Sequence, residues 1–171
     1  TEFFQDDIKR GRPYRSQALD ALGKLWTKQE NSWSIVNPQP GVNLVRLDQT
    51  DGFIYDGDAS FRHSRSRFTY DPYGNIARAY EDGFVADADP NAHTDLPVTG
   101  DERSSLTTYT YNTTDWILNK PSLTQTFAAD GTTVAAQRRF TYDTKGSLTK
   151  EEEWLADTTS SGADRWLATS L

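Results

Sequence analysis

Four acidic side chains, Asp48, Asp51, Asp56 and Asp58, crowd one short stretch of the chain. Together they could hold a hard cation, since Ca²⁺ takes about six to eight oxygens from carboxylates and turn carbonyls. The simpler use is structural: Asp51-Gly52 and Asp56-Gly57 spell two consecutive turns, and that is the reading adopted. A second acidic stretch, Asp87-Ala88-Asp89-Pro90-Asn91-Ala92-His93-Thr94-Asp95, has the one-three-five oxygen spacing of a calcium loop. Ala92 stands where that loop needs its turn glycine and Val98 where it needs a bidentate glutamate, so an EF-hand is excluded and only a looser site stays open.

Paired carboxylates could also hydrolyse a glycoside, which needs two of them roughly 5 to 10 Å apart. With 25 acidic residues some pair meets that distance by chance, and nothing in the spacing selects one. Glu151-Glu152-Glu153 reads as a solvated strand whose central carboxylate meets Lys150 or Arg139 across a hairpin. His63 and His93 have no nucleophile elbow or His-x-x-x-His partner and are expected at the surface. The one basic run, Arg62-His63-Ser64-Arg65-Ser66-Arg67, reads as an edge strand guarded by charge, with contact to an acidic partner as the alternative. No catalytic, cofactor-binding or metal-binding residue is assigned, and a non-enzymatic role is expected.

Composition narrows the classes further. At 171 residues the chain is long enough for one domain with a core, and a single unit over 1–171 is expected. A net charge of −7 opposes a nucleic-acid footprint, which needs clustered Lys and Arg. No apolar run approaches the roughly 20 residues of a spanning helix. With no Cys there are no thiol, disulfide or cysteine–zinc chemistries, and with no Met, Thr1 reads as the start of a processed or excised piece. The acidic, Thr-rich and aromatic-rich balance fits secreted or cell-surface β-proteins.

What must position any site is a set of turns. Phe68-Thr69-Tyr70-Asp71-Pro72-Tyr73-Gly74-Asn75-Ile76 returns as Phe140-Thr141-Tyr142-Asp143-Thr144-Lys145-Gly146-Ser147-Leu148. Each copy is an alternating aromatic strand, an Asp-x-x-Gly turn and a second strand, the writing of a β-hairpin in a repeated sheet. Asp20-Ala21-Leu22-Gly23 uses the same grammar. Asp at the first position accepts backbone N–H bonds from the turn, Gly at the fourth takes positive φ, and Pro72 presets φ at the second. Asp20, Gly23, Asp71, Pro72, Gly74, Asp143 and Gly146 are therefore the predicted turn residues, with Tyr70 and Tyr142 packing the layer.

The segment Leu106 to Asn112 reads as a degenerate copy with Asn112 in place of Asp. Hairpins are expected near 12–28, 67–81, 106–127 and 132–155, with a further turn at Asp130-Gly131 between the last two, and loops near 82–103 and 156–164. Ser16 to Gln29 and Lys150 to Leu155 fit short helices less well than strands, and the tail at 164–168 fits one helical turn. The expected fold is all-β: antiparallel hairpins in one extended curved sheet, aromatic on one face and polar on the other.

The two Tyr-Asp phrases resemble the repeat of the RHS (YD-repeat) family, large bacterial proteins related to polymorphic toxins and to teneurins. Gly11-Arg12-Pro13-Tyr14-Arg15-Ser16, followed by Leu19-Asp20-Ala21, is similar to the middle-to-C-terminal region of the B component of insecticidal Tc toxins. The resemblance implies a sheet that spirals into a hollow shell, with a toxic polypeptide enclosed and encoded elsewhere. It also implies partners in the rest of that chain or complex. The copies here are few and widely spaced, and no self-cleavage site is identifiable. The rival reading is a secreted module that binds a glycan or partner through exposed aromatics; a carboxylate-based hydrolase is the third. Burial of the repeated aromatics separates the first two.

Overall fold

A computed structural model describes residues 1–57, 59–85, 100–155 and 165–170. The described residues contain strands and turns and no helix. Eleven strands follow one another: β1 (Glu2–Phe3), β2 (Pro13–Leu19), β3 (Leu25–Gln39), β4 (Val42–Ile54), β5 (Arg62–Tyr70), β6 (Ile76–Val85), β7 (Arg103–Asn112), β8 (Ile117–Phe127), β9 (Val134–Tyr142), β10 (Leu148–Leu155) and β11 (Arg165–Ser170). They form one antiparallel sheet whose spatial order is the sequence order, so each strand pairs with its chain neighbours. The fold is all-β, as the alternation requires.

Turn chemistry explains the connections. Asp20 to Lys24, Asp71 to Asn75 and Asp143 to Ser147 link β2 to β3, β5 to β6 and β9 to β10. The longest hairpin, β3–β4, went unread in the sequence. It turns at Pro40-Gly41, where Pro supplies the fixed φ and Gly41 sits at φ 81°. β2 pairs with β3 only from Leu25 to Glu30, and β5 with β4 only from Gln49 to Ile54, so the rest of this hairpin runs as a two-stranded ribbon.

Several local expectations are corrected. Asp51-Gly52 makes no turn; it lies inside β4, paired to β3 and β5. The 82–103 loop is shorter at both ends, because Asp82 to Val85 belong to β6 and Arg103 opens β7. Residues 86–99 of that segment, with the candidate calcium loop and His93, and the 156–164 loop lie outside the described residues. The tail at 165–168 is extended in β11 rather than helical.

The basic run is also placed differently. Arg62 to Tyr70 is an interior strand, flanked by β4 and β6, and His63 is 2% exposed rather than at the surface. Charge on β5 guards no edge; Arg65 pairs with Asp51 and Arg67 with Asp82 across the sheet.

The faces are not one aromatic and one polar. Phe68 pairs with Ala79 while the adjacent Arg67 pairs with Tyr80, so Phe68 and Tyr80 leave opposite faces. Near the Asp-x-x-Gly turns the aromatics stand on the Phe68 face. Farther along the strands they shift to the Tyr80 face, where Arg78 lies 4.8 Å from the Tyr80 ring and 5.1 Å from that of Phe127. The buried apolar core is small: Phe53 and Val85 are the buried hydrophobics among the described residues, beside eight buried polar or charged ones.

Candidate functional site

Two constellations stand out, a stack of turns at one end of the sheet and a charged row across its middle. The three Asp-x-x-Gly turns share one bonding scheme. The aspartate N–H donates to the carbonyl four residues on, and the glycine N–H returns to the aspartate carbonyl, at 2.9 and 3.2 Å in the turn at Asp71. One carboxylate oxygen then accepts two more backbone N–H bonds, from Leu22 and Lys24 at Asp20, Tyr73 and Asn75 at Asp71, and Lys145 and Ser147 at Asp143. Gly23, Gly74 and Gly146 take φ of 79°, 90° and 81°, the left-handed region that favours glycine. Pro72 occupies the second turn position with an exposed ring.

Asp71 adds contacts its two equivalents lack. Its second carboxylate oxygen accepts from Asn75 Nδ2 at 2.7 Å and from the Tyr111 hydroxyl on β7 at 2.9 Å. Its carbonyl accepts from Arg46 on β4. Burial pushes its pKa up, but the bonds from Asn75, Tyr111 and Tyr73 outweigh that and hold it below the ordinary carboxylate value. Tyr111 moves the other way, up to about 12, through burial and its bond to the same carboxylate.

The stack continues on both sides. Tyr70 donates to the Leu47 carbonyl at 2.7 Å, with the Arg46 guanidinium 5.2 Å from its ring. Asn75 Nδ2 reaches the Leu118 carbonyl at 2.7 Å, and Tyr73 meets Tyr111 at 4.7 Å between ring centroids. At the next turn Asn112 Nδ2 reaches the Thr144 carbonyl, and Lys120 lies 5.7 Å from the Tyr142 ring. A Cβ on Gly146 would come within 3.2 Å of Ile117 and Lys120. Asp71, Gly74, Tyr70, Tyr142, Asp143 and Gly146 thus fall in one tip-to-tip column; Asp20 and Gly23 belong to a separate turn. The degenerate copy keeps its role, because Asn112 Oδ1 accepts from Thr114 and Asp115 N–H while Trp116 takes positive φ, 58°.

The repeated aromatics are half-buried rather than sealed: Phe68, Tyr70, Tyr109, Phe140 and Tyr142 are intermediate and Tyr111 is exposed. Their rings pack between neighbouring hairpins while hydroxyls find backbone carbonyls, as for Tyr109 on Ile76 at 3.0 Å.

Across the middle, Asp51 sits at the centre of a row the sequence did not single out as such. Its carboxylate accepts from His63 Nε2 at 2.6 Å, Arg65 Nε at 2.8 Å and Gln49 Nε2 at 2.7 Å. Burial raises its pKa, and these three bonds more than reverse that, leaving it lowered. His63 stacks on Phe53 at 4.4 Å between ring centroids, and Lys28 Nζ lies 4.1 Å from the centroid of the same Phe53 ring. Glu30 joins Arg15 at 2.8 Å and Lys28 at 3.4 Å, and Arg67 holds Asp82 by two bonds at 2.6 and 2.7 Å. The sequence signal was alternation: Asp51 and Phe53, then His63, Arg65 and Arg67, all fall on one face.

Chemically, the row is a set of mutually neutralised ions and the column a set of interlocked turns. Asp51 does not gather with Asp48, whose carboxylate accepts from Ser34. Among the described residues no cluster of three or more His, Asp or Glu could hold a metal ion. Glu152 meets Lys150 at 2.8 Å, while Glu151 and Glu153 meet Arg138 on the other face. No described helix is long and apolar enough to cross a membrane.

No protein-family model and no curated protein sequence matches the chain. Among solved structures, it is similar to a chain of the Photorhabdus luminescens Tc holotoxin pore, with TM-score 0.62 and 12% identity. The match covers 85% of this chain and 10% of that one, so the chain spans about a tenth of its structural neighbour's length. At that identity the likeness is one of fold alone.

Proposed function

We propose that the chain is a wall section of an RHS-type β-shell, scaffolding a toxin complex that encloses or presents a toxic polypeptide encoded elsewhere. The observation that carries this is the strictly sequential eleven-strand meander. Among the described residues it is a sheet built by adding hairpins, with β1 and β11 each paired on one side and two buried apolar side chains. Such a sheet gains stability by being continued and enclosed, as repeat architectures do. The Tc holotoxin likeness supports the reading, and with it a secreted or cell-surface bacterial setting and partners in the remaining chain or subunits.

On this reading the interlocked turns are architecture, and no described residue is assigned a catalytic step. The test is to read the coding sequence on either side, produce the complete product and image it by cryo-electron microscopy. Residues 1–171 should lie in a closed wall, joined through β11 to further strands. A free-standing secreted module would sink the proposal.

A second reading has one specific observation behind it. Trp116 is 74% exposed and holds a left-handed backbone at the tip of the β7–β8 hairpin, a costly place for a large ring. Under that reading the tip stacks on a glycan or a partner surface, and a Trp116→Ala variant that loses binding on a glycan array would support it.

A further inference from the structure

The chain holds four Asp-Gly steps, at Asp51-Gly52, Asp56-Gly57, Asp82-Gly83 and Asp130-Gly131. Among aspartyl steps, aspartyl-glycine is the most prone to rearrange, because glycine offers no side chain to hinder attack by its own nitrogen. We propose that Asp56-Gly57, alone of the four, is a self-modification site that forms isoaspartate and so creates an acceptor for a carboxyl methyltransferase.

The step balances without any added oxidant or reductant. The Gly57 nitrogen, giving up its proton, attacks Cγ of the Asp56 carboxylic acid form; the N–Cγ bond forms, the Cγ–OH bond breaks, and the hydroxyl leaves with that proton as water to give a succinimide. Water then opens the ring at the main-chain carbonyl, breaking its bond to nitrogen. The backbone now runs through the side-chain carbonyl, one methylene longer, and the former main-chain carbonyl is a free carboxylate.

Both reacting groups must be free, and the fold frees them at one step only. Asp51 is 1% exposed and bonded to His63, Arg65 and Gln49, with Gly52 inside the ladder between Gln29 and Ser64. Asp82 is 4% exposed and clamped by Arg67, with Gly83 paired to Arg65. Asp130 accepts from Thr132 and Thr133, and the Gly131 N–H donates to Ala128 at 2.9 Å. At Asp56 the side chain is exposed, and among the described residues neither its carboxylate nor the Gly57 N–H has a hydrogen-bond partner. Asp56 also sits at φ 51°, a conformation that L side chains leave readily.

The consequence is local. A Cβ built on Gly57 would lie 3.7 Å from Trp26 Nε1, so a longer backbone there presses on the indole.

The test is to age the folded chain at neutral pH and physiological temperature. Isoaspartate is then counted by enzymatic methyl transfer from S-adenosylmethionine and located by peptide mapping. Signal should accumulate at 56 several-fold faster than at 51, 82 or 130, with a change in Trp26 emission, and Asp56→Glu should remove it. In concentrated urea all four steps should react at similar rates. Equal accumulation at 130 in the folded chain, or none at 56, would overturn the proposal.

Discussion

The Tyr111 hydroxyl reaches across from β7 to donate to Asp71 Oδ2 at 2.9 Å, tying one hairpin to the turn of its neighbour. Asp71 is a turn residue by sequence, yet it is also the joint between repeats. Where, among the described residues, Asp20 and Asp143 accept from their own turns alone, Asp71 spends its second oxygen on Asn75 and Tyr111. The repeat phrase therefore does two jobs at this position, closing its own hairpin and registering the next.

Tyr111→Phe should remove that joint and leave the turn intact. The expected loss is about 1 kcal/mol, the usual net worth of one hydrogen bond, against a larger loss for Asp71→Ala, which strips the turn as well. Alkali should mimic Tyr111→Phe. The folded pKa of Tyr111 is raised from 10.0 to about 12, so its contribution is present below the unfolded value and fades as pH rises through the folded one. Denaturant melts between those limits should show the parent weakening more than Tyr111→Phe; parallel curves would sink the assignment.

The three turn glycines should not be equally replaceable. A non-glycine residue in left-handed backbone costs roughly 1–2 kcal/mol wherever it sits. Gly23 has nothing within 4 Å of an added Cβ, Gly74 has Leu44 at 3.4 Å, and Gly146 has Ile117 and Lys120 at 3.2 Å. Alanine melts should therefore rank Gly23 mildest, Gly74 next and Gly146 worst, with Gly74→Val worse than Gly74→Ala. An inverted order between Gly23 and Gly146 would mean the turns are not held against their neighbours.

His63→Ala, which a surface position would tolerate, should destabilise by about 2–4 kcal/mol, because it opens a cavity beside Phe53 and takes one donor from a buried carboxylate. Acid should act on the same group. The folded pKa of Asp51 is depressed, so its contribution is full above the unfolded carboxylate value, near 4, and is lost as pH falls through the folded value. Asp51→Asn should be less stable than the parent at neutral pH and should flatten the acid limb of its stability curve. If the two acid limbs coincide, the row contributes nothing that titrates.

What was legible in the sequence was local. Asp-x-x-Gly and alternating aromatics need only their own residues, so the turns at Asp20, Asp71 and Asp143 could be read directly. Long-range placement could not. His63 and Arg65 look like a solvated basic run until Asp51 is set opposite them, and only the β4–β5 register does that. Asp51-Gly52 has the letters of a turn, but pairing on both sides held it extended. The β3–β4 hairpin hid behind prolines that demote a strand by propensity, although Pro40 sits in its turn rather than its ladder.

Among the described residues β11 pairs with β10 alone, and its other edge offers the last test. β11 presents Trp166, Leu167 and Ala168 with a single charge at Arg165, and Leu167 is 61% exposed. Natural edges are usually blunted by lysine, proline or a bulge, and none lies in Arg165 to Ser170. An edge so little defended suits a strand meant to be paired. Sedimentation over a range of concentrations should show the chain self-associating, and Leu167→Lys should suppress that without altering the melt. A parent that stays monomeric throughout would argue that β11 is a finished edge, and the wall reading would lose its point of continuation.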